Sequence, residues 1–104
     1  MPLILILLPT RELAIQVFNE TEKMRNYRGE YKSQCIYGGV DIYGQKDNLA
    51  NGCDVVVGTP GRIMDLANRK ALDLSKIKIF ILDEADRMLD LGFQEDIEKI
   101  FNKI

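Results

Sequence analysis

The chain has 104 residues, 46% hydrophobic and 29% charged, enough for one small soluble domain with a thin margin of buried surface. Fourteen Lys plus Arg against sixteen Asp plus Glu leave a net charge of −2, which argues against polyanion binding through bulk charge but not through a few placed groups. Zinc would need more ligands than two cysteines and no histidine, so none is expected, and Cys35 and Cys53 are read as reduced, partly buried thiols of a nuclear or cytoplasmic protein.

Pro2–Leu8 is too short to span a bilayer and lacks a basic flank and a cleavage site. No membrane partner is expected, and Leu3–Leu8 reads as a buried parallel strand. Thr10 caps a helix in which Leu13, Ala14, Val17, Phe18 and Met24 recur at helical spacing, running to about Tyr27, with a break in "RGEYK". "KSQCIY" is a second strand closed by Gly38-Gly39. Asp41 begins a helix carrying Ile42 and Leu49 that stops at Asn51-Gly52. "DVVVG" is a third strand of β-branched residues, and Thr59-Pro60 starts a helix with Ile63, Leu66 and Ala67 on one face. Lys78–Leu82 is a fourth strand, followed by a short helical stretch from about Ala85 and a last helix bearing Ile97, Ile100, Phe101 and Ile104.

Strands alternating with helices imply an α/β fold, a parallel β-sheet flanked by helices, with chemistry gathered at the carboxyl ends of the strands. Four polar or Gly/Pro-rich exits then line one edge: Pro9–Glu12, Tyr37–Gly39, Gly58–Arg62 and Asp83–Asp86. An Asp at an apolar strand's exit suits a largely hydrated Mg²⁺ beside nucleotide phosphates, and an adjacent Glu suits activation of water. Alternatively, Asp83, Glu84 and Asp86 merely occupy a helix's first turn, where acids are favoured. Arg11 and Arg62 each adjoin a helix N-terminus, which makes a phosphate site without large net charge, and Gly38-Gly39 admits a close backbone. Taken singly, Thr10 and Thr59 are plain caps, the arginines solvated and the glycines a turn. Their convergence on one edge favours the functional reading. Tyr27, Tyr31, Tyr37 and Tyr43 are irregularly spaced and read as packing rather than a base-stacking platform.

"PTRELAIQ" (Pro9–Gln16), "GG" (Gly38-Gly39), "TPGR" (Thr59–Arg62) and "DEAD" (Asp83–Asp86) stand in the order found in DEAD-box RNA helicases. Gln45, Leu49 and Gly52 fall where that family's spacer has them, and "RMLDLGF" resembles its continuation. The resemblance covers nearly the whole chain. It implies a RecA-like (P-loop NTPase) helicase domain in which Asp83 holds Mg²⁺, Glu84 activates the hydrolytic water and Asp86 links the nucleotide site to strand separation. It also implies that Pro9, Thr10, Arg11, Gly38, Gly39, Thr59, Pro60, Gly61 and Arg62 lie on a surface for the RNA sugar-phosphate backbone, which fixes register without reading bases.

No Gly-x-x-x-x-Gly-Lys-Ser/Thr loop, upstream glutamine motif or downstream Ser-Ala-Thr motif occurs in the 104 residues. Residues 1–104 are therefore expected to be a partial helicase ATP-binding domain, truncated at both ends and completed by the rest of that domain and a second RecA-like domain. ATP and Mg²⁺ belong to the complete helicase, and the isolated chain is expected to bind them weakly and not to hydrolyse ATP. Loss of a central strand uncovers apolar sheet, so marginal stability or self-association is expected. A catalytically inactive short RNA- or partner-binding protein derived from a helicase is the second reading. A different nucleotide-binding α/β protein, with "DEAD" a chance helix start, is a distant third.

Overall fold

The structure, a computed structural model, describes residues 1–28 and 31–104, the side chains of residues 25–28 excepted. Its elements alternate: β1 (Ile4–Leu7), α1 (Arg11–Arg28), β2 (Ser33–Ile36), α2 (Ile42–Ala50), β3 (Val55–Gly58), α3 (Pro60–Asn68), β4 (Ile79–Leu82), α4 (Ala85–Asp90) and α5 (Gln94–Asn102). Parallel neighbours need a crossover of a dozen or more residues, and the helices supply it. The four strands form one parallel sheet in the order β2-β3-β1-β4, with Ile4 opposite Val55 and Ile79, and Leu7 opposite Gly58 and Leu82.

The period-2 alternation of strand side chains divides the core in two. Leu5, Leu7, Val56 and Ile36 face a cluster completed by Leu49, Ile63, Leu66, Met88 and Ile100, so α2 to α5 contribute to that side. On the opposite face Val55 and Val57 meet Leu8 and Ala14, with Leu13, Val17 and Phe18 of α1 packed against them. Met24, expected on the same apolar stripe, is instead 59% exposed, because it lies in the C-terminal part of α1. Part of the expected break after α1, Gly29 and Glu30, falls outside the described residues.

β4 lies at the sheet margin. Ile79 is 51% and Ile81 42% exposed on the α1 side, while on the other side Phe80 stacks with Phe101 at 6.5 Å between ring centroids. Leu3, Ile4, Ile6, Val55 and Ile81 line an open apolar groove on the α1 side. The apolar run of β4, read as a strand in the sequence, is thus a strand edge with both faces partly bare.

Local chemistry sets the turns. Thr10 Oγ1 accepts from the Leu13 amide at 3.3 Å, and Asp41 Oδ1 accepts from the Tyr43 amide at 3.0 Å, each capping its helix as expected. Gly52 at φ +87° closes α2, and its amide donates to the Leu49 carbonyl. Gly58 is required by space: a Cβ there would stand 2.5 Å from the Ile36 carbonyl oxygen and 2.8 Å from Ile63 Cδ1. Gly58→Ala is expected to destabilise the chain by about 1–3 kcal/mol through overpacking. Gly44→Ala, with nothing within 4 Å of the new methyl group, is expected to be neutral or stabilising. Urea denaturation of the two variants checks the contrast, and equal midpoints would contradict it.

Candidate functional site

Because all four strands run the same way, their carboxyl ends share one edge. Along it the exits follow the strand order: Tyr37–Gly39, Thr59–Arg62, Pro9–Arg11 and Asp83–Asp86. At about 4.8 Å per strand the outermost exits stand roughly 14 Å apart. The edge therefore carries a glycine- and arginine-bearing stretch over three strands and an acidic stretch at the fourth.

The first three exits touch one another. The Arg11 guanidinium lies over the Tyr37 ring, 5.6 Å from its centroid, a cation–π arrangement. Its Nη1 is also 3.3 Å from where a Gly39 side chain would begin, a contact the exposed arginine could yield, so it is the backbone at φ +86° that calls for glycine there. Arg62 Nη1 and Nη2 each donate to the Val40 carbonyl at 3.2 Å, and Nη1 donates to Gln45 Oε1 at 2.8 Å. Gln45 Nε2 in turn donates to the Tyr37 carbonyl at 3.0 Å. The Thr59 amide donates to the Ile36 carbonyl, fastening the β3 exit to the end of β2.

Individual side chains differ in what they offer a ligand. Pro9 and Pro60 are buried, so their part at the edge is to shape the backbone. Thr10 uses its hydroxyl as a cap, whereas the Thr59 side chain makes no capping bond, so its hydroxyl is not spent on α3. Gly61 is exposed and a methyl group there would meet nothing within 4 Å, as at Gly38, so neither glycine is there for packing. The Gly61 amide stands in the first turn of α3, where backbone N–H groups lack intrahelical partners.

At the acidic exit the Asp83 amide donates to the Leu7 carbonyl, extending the β1–β4 ladder by one residue. Glu84 then turns left-handed, φ 55° and ψ 49°, a conformation costly for a residue with a Cβ, and its carbonyl accepts from the Met88 amide. Glu84 is the N-cap of α4 without a side-chain capping bond, and only Asp86 lies in the helix's first turn. The plain helix-start reading thus accounts for Asp86 but not for Asp83 or Glu84. All three carboxylates are exposed. Among the described residues no three acidic, cysteine or histidine side chains could together hold a metal. A single exposed carboxylate such as Asp83 fits Mg²⁺ only if water and phosphate oxygens supply most of the coordination, which is the ion's habit.

The thiols take no part in this edge. Burial pushes Cys35 up to about 11 and raises Cys53 as well, so both are protonated at neutral pH and poor nucleophiles.

Sequence reasoning missed Tyr37 as the support of Arg11 and Gln45 as the partner of Arg62. The available signals were that Tyr37 directly precedes the glycine pair, that Gln45 falls where the resembled family's spacer has a glutamine, and that it is a polar residue in a short helix otherwise carrying Ile42 and Leu49 inward.

The profile of the DEAD/DEAH box helicase family matches residues 1–104. The chain is 48% identical over 102 residues to a protein of Dictyostelium discoideum described as a probable ATP-dependent RNA helicase, ddx3, covering 98% of this chain and 14% of that protein. It is 48% identical over 103 residues to DEAD-box ATP-dependent RNA helicase 9 of Oryza sativa subsp. japonica, covering 99% of this chain and 16% of that one. Among solved structures, the yeast DEAD-box splicing factor Prp28 superposes with a TM-score of 0.93 at 37% identity, over 98% of this chain and 24% of that one. A DEAD box protein of the hyperthermophile Methanococcus jannaschii superposes with a TM-score of 0.91 at 52% identity, over 98% of this chain and 28% of that one. The chain thus spans about one-seventh of the curated relatives' length, and its fold is that of the matching part of RecA-like DEAD-box domains.

Proposed function

The chain belongs to the DEAD/DEAH box helicase family, and from that membership we propose that it is a segment of an ATP-dependent RNA helicase. In this reading it supplies sequence-independent RNA backbone binding and the acids that serve ATP hydrolysis. The observation that carries it is the linkage of three strand exits through Arg11, Tyr37, Gly39, Val40, Gln45 and Arg62, on the same sheet edge as Asp83 and Glu84.

Arg11, the Gly38-Gly39 turn and the amide-bearing start of α3 offer positive charge and close backbone approach, the chemistry that phosphates need, and none of them reads a base edge. At the acidic limb, ATP with Mg²⁺ provides the phosphates and neutralises their charge when bound in the complete helicase. Asp83 would hold that ion, and Glu84 would orient the attacking water and accept its proton. Asp86, one turn further on, would connect the nucleotide side to the strand-separating side. The 104 residues contain no Gly-x-x-x-x-Gly-Lys-Ser/Thr loop, so turnover is proposed for the longer helicase and not for these residues alone. A second RecA-like domain, and the rest of this one, are the partners this reading requires.

In the full-length helicase carrying this segment, Glu84→Gln is expected to lower ATP turnover by about 10²-fold or more while leaving RNA affinity in place. Undiminished turnover in a radiolabelled-ATP assay would remove Glu84 from the mechanism. Arg11→Ala is expected to weaken single-stranded RNA binding alike for unrelated sequences and to reduce the slope of log K against log salt by about 0.7, the value for one phosphate contact to a single strand. A loss confined to one RNA sequence would contradict a backbone contact.

The bare β4 edge and the apolar groove beside it also support self-association of the 104-residue chain. Sedimentation velocity is expected to show concentration-dependent oligomers that Ile81→Lys diminishes; a monomer at every concentration would refute this.

A further inference from the structure

Arg62 does not present its whole guanidinium to solvent. Of its five N–H groups, both on Nη1 and one on Nη2 are already used within the chain, on the exposed Val40 carbonyl and the buried Gln45 Oε1. Gln45 is the one buried polar side chain among the described residues, 8% exposed. Its two ends are both engaged: Oε1 accepts from Arg62 and Nε2 donates to the Tyr37 carbonyl. Neither bond survives an exchange of the amide's ends, since a carbonyl cannot receive from an oxygen and a guanidinium cannot donate to an amide N–H. The orientation of Gln45 is therefore dictated by its partners.

The two carbonyls so gripped, those of Tyr37 and Val40, bracket Gly38-Gly39. A glycine pair has the largest conformational freedom to lose when it is ordered. Gln45 and Arg62 restrain both of its flanks and fasten it to the start of α3. The Arg62 Nε–H and one Nη2–H make no hydrogen bond among the described residues, on a side chain that is half-buried.

We propose that Gln45 is a positioning residue for the RNA backbone: it locks the Gly38-Gly39 turn to the Thr59–Arg62 turn, so that both meet a strand as one preformed surface. Gln45 touches no RNA itself, and it acts through Arg62 and the Tyr37 carbonyl. This rests on the reading that the edge binds RNA. Ordering the turn in advance removes an entropic cost from binding, and aiming Arg62 turns its remaining donors toward a phosphate.

The test is single-stranded RNA binding by the full-length helicase, followed by fluorescence anisotropy, for Gln45→Met, Arg62→Ala and their combination. Methionine keeps the side chain's length and removes both hydrogen bonds. Gln45→Met is expected to raise the RNA Kd about tenfold and leave nucleotide Kd unchanged. In the Arg62→Ala background the same substitution should add clearly less, about threefold or below, since only its hold on the Tyr37 carbonyl is then left to lose. A residue that only filled space would shift thermal stability without that coupling. If Gln45→Met binds RNA within twofold of the unaltered protein while Arg62→Ala and Arg11→Ala do not, the positioning role is wrong and the RNA edge stands. Multiplicative losses in the double variant would overturn it equally. If Arg11→Ala and Arg62→Ala also bind normally, the RNA reading itself fails. Should Gln45→Met not fold, Gln45→Asn keeps the neutral amide but is one methylene too short to reach both Arg62 and the Tyr37 carbonyl. A weaker affinity supports the proposal there, and full affinity refutes it.

Discussion

The pairing of β1 with β3, Ile4–Leu7 against Val55–Gly58, is the contact on which the rest depends. It joins two strands apolar on both faces, and it draws β2 and β4 into the same direction on either side. Parallel direction is what brings four separate polar segments to one edge. At its end stands Gly58, where the Ile36 carbonyl and Ile63 leave no room for a methyl group. The closeness of β2, β3 and α3 at that point sets the spacing between the glycine turn and the arginine-bearing turn, so a packing requirement in the core becomes a dimension of the site.

Charge is distributed along this edge, not summed over the molecule. The net charge of −2 conceals an arrangement in which Arg11, with Glu12 beside it, and Arg62 stand at the β1 and β3 exits and three carboxylates stand at the β4 exit. Neither arginine is loose. Arg11 rests on Tyr37, and Arg62 is bonded to Val40 and Gln45, so less rotamer freedom remains to be lost when a ligand arrives. The left-handed Glu84 is the corresponding device on the acidic side: a backbone strain that turns the chain sharply between β4 and α4. On the function proposed, one limb handles the RNA backbone and the other the water and phosphates of ATP.

Much of this was readable from local chemistry. Thr10 and Asp41 act as caps where a capping residue precedes an apolar period, Gly52 stops α2, and Pro60 opens α3. The motif string identified the family and, through it, the RecA-like fold. What could not be read were contacts between residues far apart in the chain. Nothing near Gln45 indicates that Arg62, seventeen positions on, would bond to it. The irregular spacing of the tyrosines points Tyr37 to packing, and its use beneath Arg11 needs β1 and β2 placed on either side of β3. The margin position of β4 was equally hidden, because Ile79–Leu82 is as apolar as a strand covered on both faces. Met24 shows the opposite limit: helical spacing put it on a stripe whose far end reaches beyond the sheet it covers.

On the function proposed, three strand exits meet an RNA backbone as one preassembled surface, distinct from the acidic exit beside them. Amide chemical shifts of the ¹⁵N-labelled protein, followed during titration with short single-stranded RNAs of unrelated sequence and no nucleotide, test it most directly. Arg11, Gly38, Gly39, Gly61 and Arg62 are expected to shift together with one Kd for every RNA, while Asp83, Glu84 and Asp86 move little. Shifts that follow the RNA sequence, that report separate affinities for the Gly38-Gly39 and Thr59–Arg62 turns, or that cluster away from this edge would contradict it.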